Sequence, residues 1–127
     1  MGASGFVAVG VGAALGAWLR WWLGLMLNPL YPTLPLGTLA ANLIGGYLIG
    51  VAVSILGHAA SLPVEARLFI ITGLLGGLTT FSTFSAEAVT LLARHQYGWA
   101  AAHAGAHLLG SLAMTALGIL TINLIRS

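Results

Sequence analysis

The sequence predicts an all-α integral membrane protein with four spanning helices, and three observations carry that prediction. Of 127 residues, 59% are hydrophobic and only 5% are charged, where a soluble domain carries about 25%. Mean hydropathy is +1.03. No Asp, Glu, Lys or Arg occurs between Trp21 and Pro63. A bilayer core takes about 20 apolar residues per helix, so four spans nearly fill residues 1–127 as one membrane domain. No soluble domain is expected beside them.

Composition also excludes several chemistries. There is no cysteine, hence no disulfide, thiol nucleophile or Cys-based metal site. The isoelectric point near 9.7 comes from four arginines against two glutamates, without a lysine or a basic cluster. Nucleic-acid binding therefore has no support. The first residues, Met-Gly-Ala-Ser-Gly, lack a basic region and run straight into apolar sequence. A first membrane span is expected there rather than a cleaved signal peptide.

The first span is expected at about residues 4–27. Gly12 and Gly16 form a small-xxx-small pair that lets another helix approach closely. Arg20 lies near its end, before Trp21 and Trp22. Two readings are open: an arginine snorkelling to headgroups beside an aromatic belt, or a fixed cation concentrating anions at a pore mouth. Pro29, Pro32 and Pro35 then end the helix.

The second span is expected at about 36–57. Thr38, Asn42, Gly46 and Gly50 recur every four residues and share one face, which should meet protein rather than lipid. Asn42 is either interhelical glue or a carboxamide donating hydrogen bonds to a passing solute. A helix start is expected at Ser61-Leu-Pro63, with Glu65 near the positive end of the dipole. Glu65 and Arg67 read as interfacial.

The third span, about 66–93, is longer than one crossing requires and is expected to be broken at mid-membrane. Gly76–Ser85 reads Gly-Gly-Leu-Thr-Thr-Phe-Ser-Thr-Phe-Ser. Adjacent glycines weaken a helix, and hydroxyl side chains compete for its backbone bonds. Irregular backbone inside a membrane is tolerated only against protein or a wet cavity, and such breaks recur at ion sites. Glu87 follows the break. A carboxylate within a span is a functional-site hypothesis, against the simpler reading of a Glu reaching the surface.

The fourth span is expected at about 98–124. His103, His107, Ser111 and Thr115 repeat every four residues, a polar stripe about 18 Å long. It reads as a water-lined wall or as a packed hydrogen-bond seam. A metal site on the two histidines is disfavoured, since no acidic ligand is adjacent in sequence. Thr115 can also bond its own helix. Arg20 and Arg94 share one side of the membrane and Arg67 and Arg126 the other, so the positive-inside rule gives no orientation. Dual insertion and antiparallel assembly are then open.

Three motifs carry a family resemblance. Residues 76–84 (Gly-Gly-Leu-Thr-Thr-Phe-Ser-Thr-Phe), 37–45 (Gly-Thr-Leu-Ala-Ala-Asn-Leu-Ile-Gly) and 12–20 (Gly-Ala-Ala-Leu-Gly-Ala-Trp-Leu-Arg) resemble the bacterial Fluc (CrcB) fluoride channels, in the family's order and across the whole chain. The resemblance implies an antiparallel, dual-topology homodimer in the bacterial inner membrane, with two fluoride pores. It implies a central structural Na+ held by backbone carbonyls of Gly76 and Thr79. Phe81 and Phe84 would line the pores with Asn42, and Thr38, Ser82, Glu87 and Ser111 would supply the polar track. An aromatic ring has a positive edge, so its hydrogens can face a small anion. His103 and His107 depart from the side chains familiar on this face, and Trp21 stands where Tyr is usual.

Passive fluoride efflux is thus the leading expectation, and no enzymatic chemistry is expected. The alternatives are a fluoride–proton antiporter, in which Glu87 and the histidines titrate, and a small multidrug-type exporter. The latter uses a first-span carboxylate, and this first span has none.

Overall fold

A computed structural model describes residues 2–57 and 62–127. Ser61, part of the expected helix start, lies outside them. The described residues form helices and turns, with no strand among them. Four helical segments are long and apolar enough to cross a membrane: Ala3–Leu30, Leu36–Leu56, Val64–Ala93 and Tyr97–Arg126.

Helix α1 (Ala3–Leu27) ends in a short 3₁₀ turn, Asn28–Leu30, where Pro29 removes a donor. Helix α2 (Leu36–Leu56) begins after Pro35 without a cap of its own. Asn28 supplies one from across the turn: its Oδ1 accepts from Gly37 N–H at 2.7 Å and Thr38 N–H at 3.2 Å. Two orphan donors of the first turn are thereby satisfied.

The third span is composite. It opens as α3 (Val64–Arg67), widens to a π-helix over Leu68–Leu75 and tightens to α4 (Gly76–Leu78). Thr79 and Thr80 are extended, with φ/ψ of −87/153° and −150/120°, and helix α5 (Phe81–Ala93) follows. The residues with non-helical backbone are thus the two threonines. Gly76 and Gly77, read from sequence as helix breakers, are themselves helical. Gly77 serves packing instead, because a Cβ there would lie 2.5 Å from the Ala13 carbonyl of α1. The turn after α5 carries His95 at φ 58°, and α6 (Tyr97–Arg126) completes the chain.

Helices pack as two tight pairs, α1 on the third span and α2 on α6. In the second pair Gly50 and Gly118 bring backbones together: a Cβ on Gly118 would meet the Tyr47 carbonyl. Thr115 Oγ1 donates to the Gly46 carbonyl at 2.9 Å, so it bonds across the pair rather than within its own helix. Tyr47 donates to Thr121 Oγ1 at 3.0 Å on the same seam. The apolar core is small, centred on Leu23, Ala41, Leu75 and Leu78. Lipid is as apolar as leucine, so membrane helices associate through close packing and polar contacts instead.

Candidate functional site

The site is built around the two extended threonines. Thr80 caps α5, its Oγ1 accepting from Thr83 N–H at 3.1 Å. Thr is among the residues preferred at an N-cap. Thr80 backbone is also held from α2: Asn42 Nδ2 donates to its carbonyl at 3.0 Å, and its N–H donates to Asn42 Oδ1 at 2.8 Å. Thr79 is fixed by its hydroxyl, which donates to the Leu75 carbonyl at 2.8 Å.

The Asn42–Thr80 pair fixes which end of the amide is which. Nδ2 must therefore also be the donor in its 3.0 Å contact with His107 Nδ1. A His107 ring that accepts at Nδ1 carries its proton on Nε2. That Nε2 is buried and has no partner among the described residues. Both amide protons of Asn42 are consequently engaged within the chain, and His107 Nε2 is the unspent donor.

Behind Phe84 lies a second polar group. Glu87 Oε2 accepts from Thr38 Oγ1 at 2.6 Å, and Glu87 Oε1 accepts from His103 Nε2 at 3.0 Å. His103 is 0% exposed and its Nδ1 has no partner among the described residues. Phe84 joins the two groups. Its ring lies parallel to His103 at 5.0 Å and 4°, and 4.7 Å from the His107 ring. Glu87, His103 and His107 each offer one ligand atom within 4.8 Å of the others, so this triad can hold an ion. The acid that sequence spacing did not provide arrives from α5.

Asn42, Phe81, Phe84, His107 and Ser111 line one concavity of about 660 Å³, together with Gly76 and Thr79. Phe81 stands largely exposed at 78% and meets Phe84 at 5.4 Å. Thr38, Glu87 and His103 do not line this concavity but sit behind Phe84. Ser82 is exposed and shares a 3.3 Å contact with Thr80 Oγ1. Arg20 stands apart from the cluster, donating from Nε to the Gly77 carbonyl at 3.0 Å. Sequence reading missed two contributors, Thr80 and Asn28. The first is a preferred N-cap residue type among several neighbouring hydroxyls, and the second shows only in the folded turn.

Four membrane-capable helices enclosing a hydrogen-bonded polar seam define a multi-pass membrane protein. The chain belongs to the CrcB family, since the family model described as "CrcB-like protein, Camphor Resistance (CrcB)" matches residues 7–119. It is 67% identical over 122 residues to the fluoride-specific ion channel FluC of Nitrosospira multiformis, covering 96% of this chain and 95% of the relative. To the protein of that name from Cupriavidus taiwanensis it is 60% identical over 125 residues, covering 98% and 99%. A third so named, from Thiobacillus denitrificans, is 59% identical over 121 residues, 95% and 98% of the two chains.

Proposed function

We infer that this chain is a fluoride-selective channel that lets the anion leave the cell passively, lowering intracellular fluoride. It acts as a conduit and not as an enzyme. The observation that carries the reading is the joint placement of Asn42, Phe84 and His107 on one concavity beside the extended Thr79–Thr80 backbone. Neutral donors and positive ring edges there can replace part of a small anion's hydration without trapping it. His107 Nε2 supplies the donor that Asn42 has already spent. The relatives named fluoride-specific ion channel support the same reading over nearly the full chain.

The finer assignments extend this reading. The chain forms a single four-helix domain whose third span is interrupted at mid-membrane by Thr79 and Thr80. The half-open concavity and the exposed Phe81 suit completion by a second copy, arranged antiparallel in the bacterial inner membrane. In that dimer Phe81 and Phe84 line two pores with Asn42, Ser82, His107 and Ser111. Thr38, Glu87 and His103 form the supporting polar track. Gly76 and Thr79 face the concavity beside the interruption, where their carbonyls suit a central Na+. Arg20, bonded to the Gly77 carbonyl, would supply a fixed cation that concentrates anions near the pore mouth.

Efflux from liposomes under a fixed membrane potential tests passivity. Fluoride release that persists when the proton gradient is collapsed supports a channel. Release that stops then points to a fluoride–proton antiporter.

A further inference from the structure

We propose that Glu87, His103 and His107 form a binding site for a divalent transition-metal ion of the Zn2+ type. Imidazole and carboxylate together suit Zn2+, and a His₂-carboxylate set leaves a fourth position open. Glu87 Oε1 and His103 Nε2 are already 3.0 Å apart. Tetrahedral ligands at about 2.0–2.1 Å from Zn2+ stand about 3.3 Å from one another, so this pair is spaced as two ligands would be. His107 completes the triad within 4.8 Å, which needs a closure of at most about 1.5 Å.

One orphaned nitrogen gives independent support. His107 Nε2 is buried without a partner among the described residues, and such a group calls for an explanation. When the ion takes His103 Nε2, the proton there moves to the vacant Nδ1 of the same ring. His107 binds through its orphaned Nε2 and moves its proton to Nδ1. That proton faces the Asn42 amide, so metal uptake breaks the 3.0 Å Asn42–His107 bond. This opposition sets the affinity below that of a closed structural zinc site. His107 lines the concavity, so the ion would arrive from that side, pass Phe84 to reach Glu87 and His103, and take a water as fourth ligand. Hard cations such as Mg2+ favour oxygen ligands and near-ideal octahedra, and should be refused.

The test uses the full chain in lipid nanodiscs, in a His58→Gln/His95→Gln background that removes the other two imidazoles. Zn2+ titrated by calorimetry should bind at about one ion per chain, with no heat from Mg2+. His107→Gln and Glu87→Gln each remove a ligand and should weaken binding by more than the roughly tenfold that loss of a ligand's supporting partner costs. Imidazole nitrogen NMR of the unsubstituted triad serves where a variant fails to fold. Zn2+ should perturb Nε2 of both His103 and His107. No Zn2+ uptake, uptake unchanged by both substitutions, or perturbation of neither ring would overturn the proposal. Binding is read without any flux, so its failure leaves the channel reading standing, and failed flux leaves the metal site standing.

Discussion

The carboxamide of Asn42 and the backbone of Thr80 bond each other in both directions, at 3.0 and 2.8 Å. This ties α2 to the extended residues between α4 and α5. Asn42→Asp keeps the acceptor for Thr80 N–H but loses the donors to the Thr80 carbonyl and His107. A buried acceptor left unpaired costs about 1–3 kcal/mol. Fluoride efflux from liposomes should fall by roughly tenfold or more where about 1.4 kcal/mol of the lost interaction enters the permeation barrier. Efflux at the original rate would show that this pair does not shape the path.

Arg20 allows two roles to be separated. Its Nε donates to the Gly77 carbonyl, while its charge is available to draw anions. Arg20→Lys keeps the charge and loses the planar donor. A pinning role predicts a lower melting temperature in detergent, from a loss of about 0.5–1.5 kcal/mol. An unchanged melting temperature with unchanged flux would leave charge alone as its contribution.

Phe81 and Phe84 differ in surroundings, and their variants should differ accordingly. Phe81 is exposed, whereas Phe84 is stacked on His103. Phe81→Ile should impair fluoride efflux while helical circular dichroism stays the same. Phe84→Ala should also lower stability, by about 3 kcal/mol if the cavity does not close. Unimpaired efflux in Phe81→Ile would count against an aromatic pore.

The α2–α6 seam supplies a stability prediction remote from the concavity. A methyl on Gly118 would meet the Tyr47 carbonyl. Gly118→Ala should therefore destabilise the fold by about 1–3 kcal/mol, read as a lower melting temperature. No change would mean that the two backbones separate freely.

Much of the architecture was legible in the sequence because membrane composition is a coarse, redundant signal. The uncharged stretch from Trp21 to Pro63 and the three proline positions mark the end of the first span and define the second almost alone. The three motifs point to the family to which the chain belongs. The π-helical stretch was not legible, since Leu-Phe-Ile-Ile-Thr-Gly-Leu-Leu is almost uniformly apolar and shows no period. Gly76 and Gly77 looked like breakers because a glycine's role depends on its neighbour, which for Gly77 is Ala13 of α1. The Glu87–His103 contact was hidden for a related reason. It joins α5 to α6 across the His95 turn, whereas the stripe reading considered α6 by itself.

Selective fluoride conduction is decided by parallel anion efflux. Liposomes containing the purified chain would be loaded with fluoride or chloride and given the same outward potassium gradient with valinomycin. Rapid, potential-driven fluoride release with little chloride release is expected. Equal release of both anions, or release of neither, would contradict it.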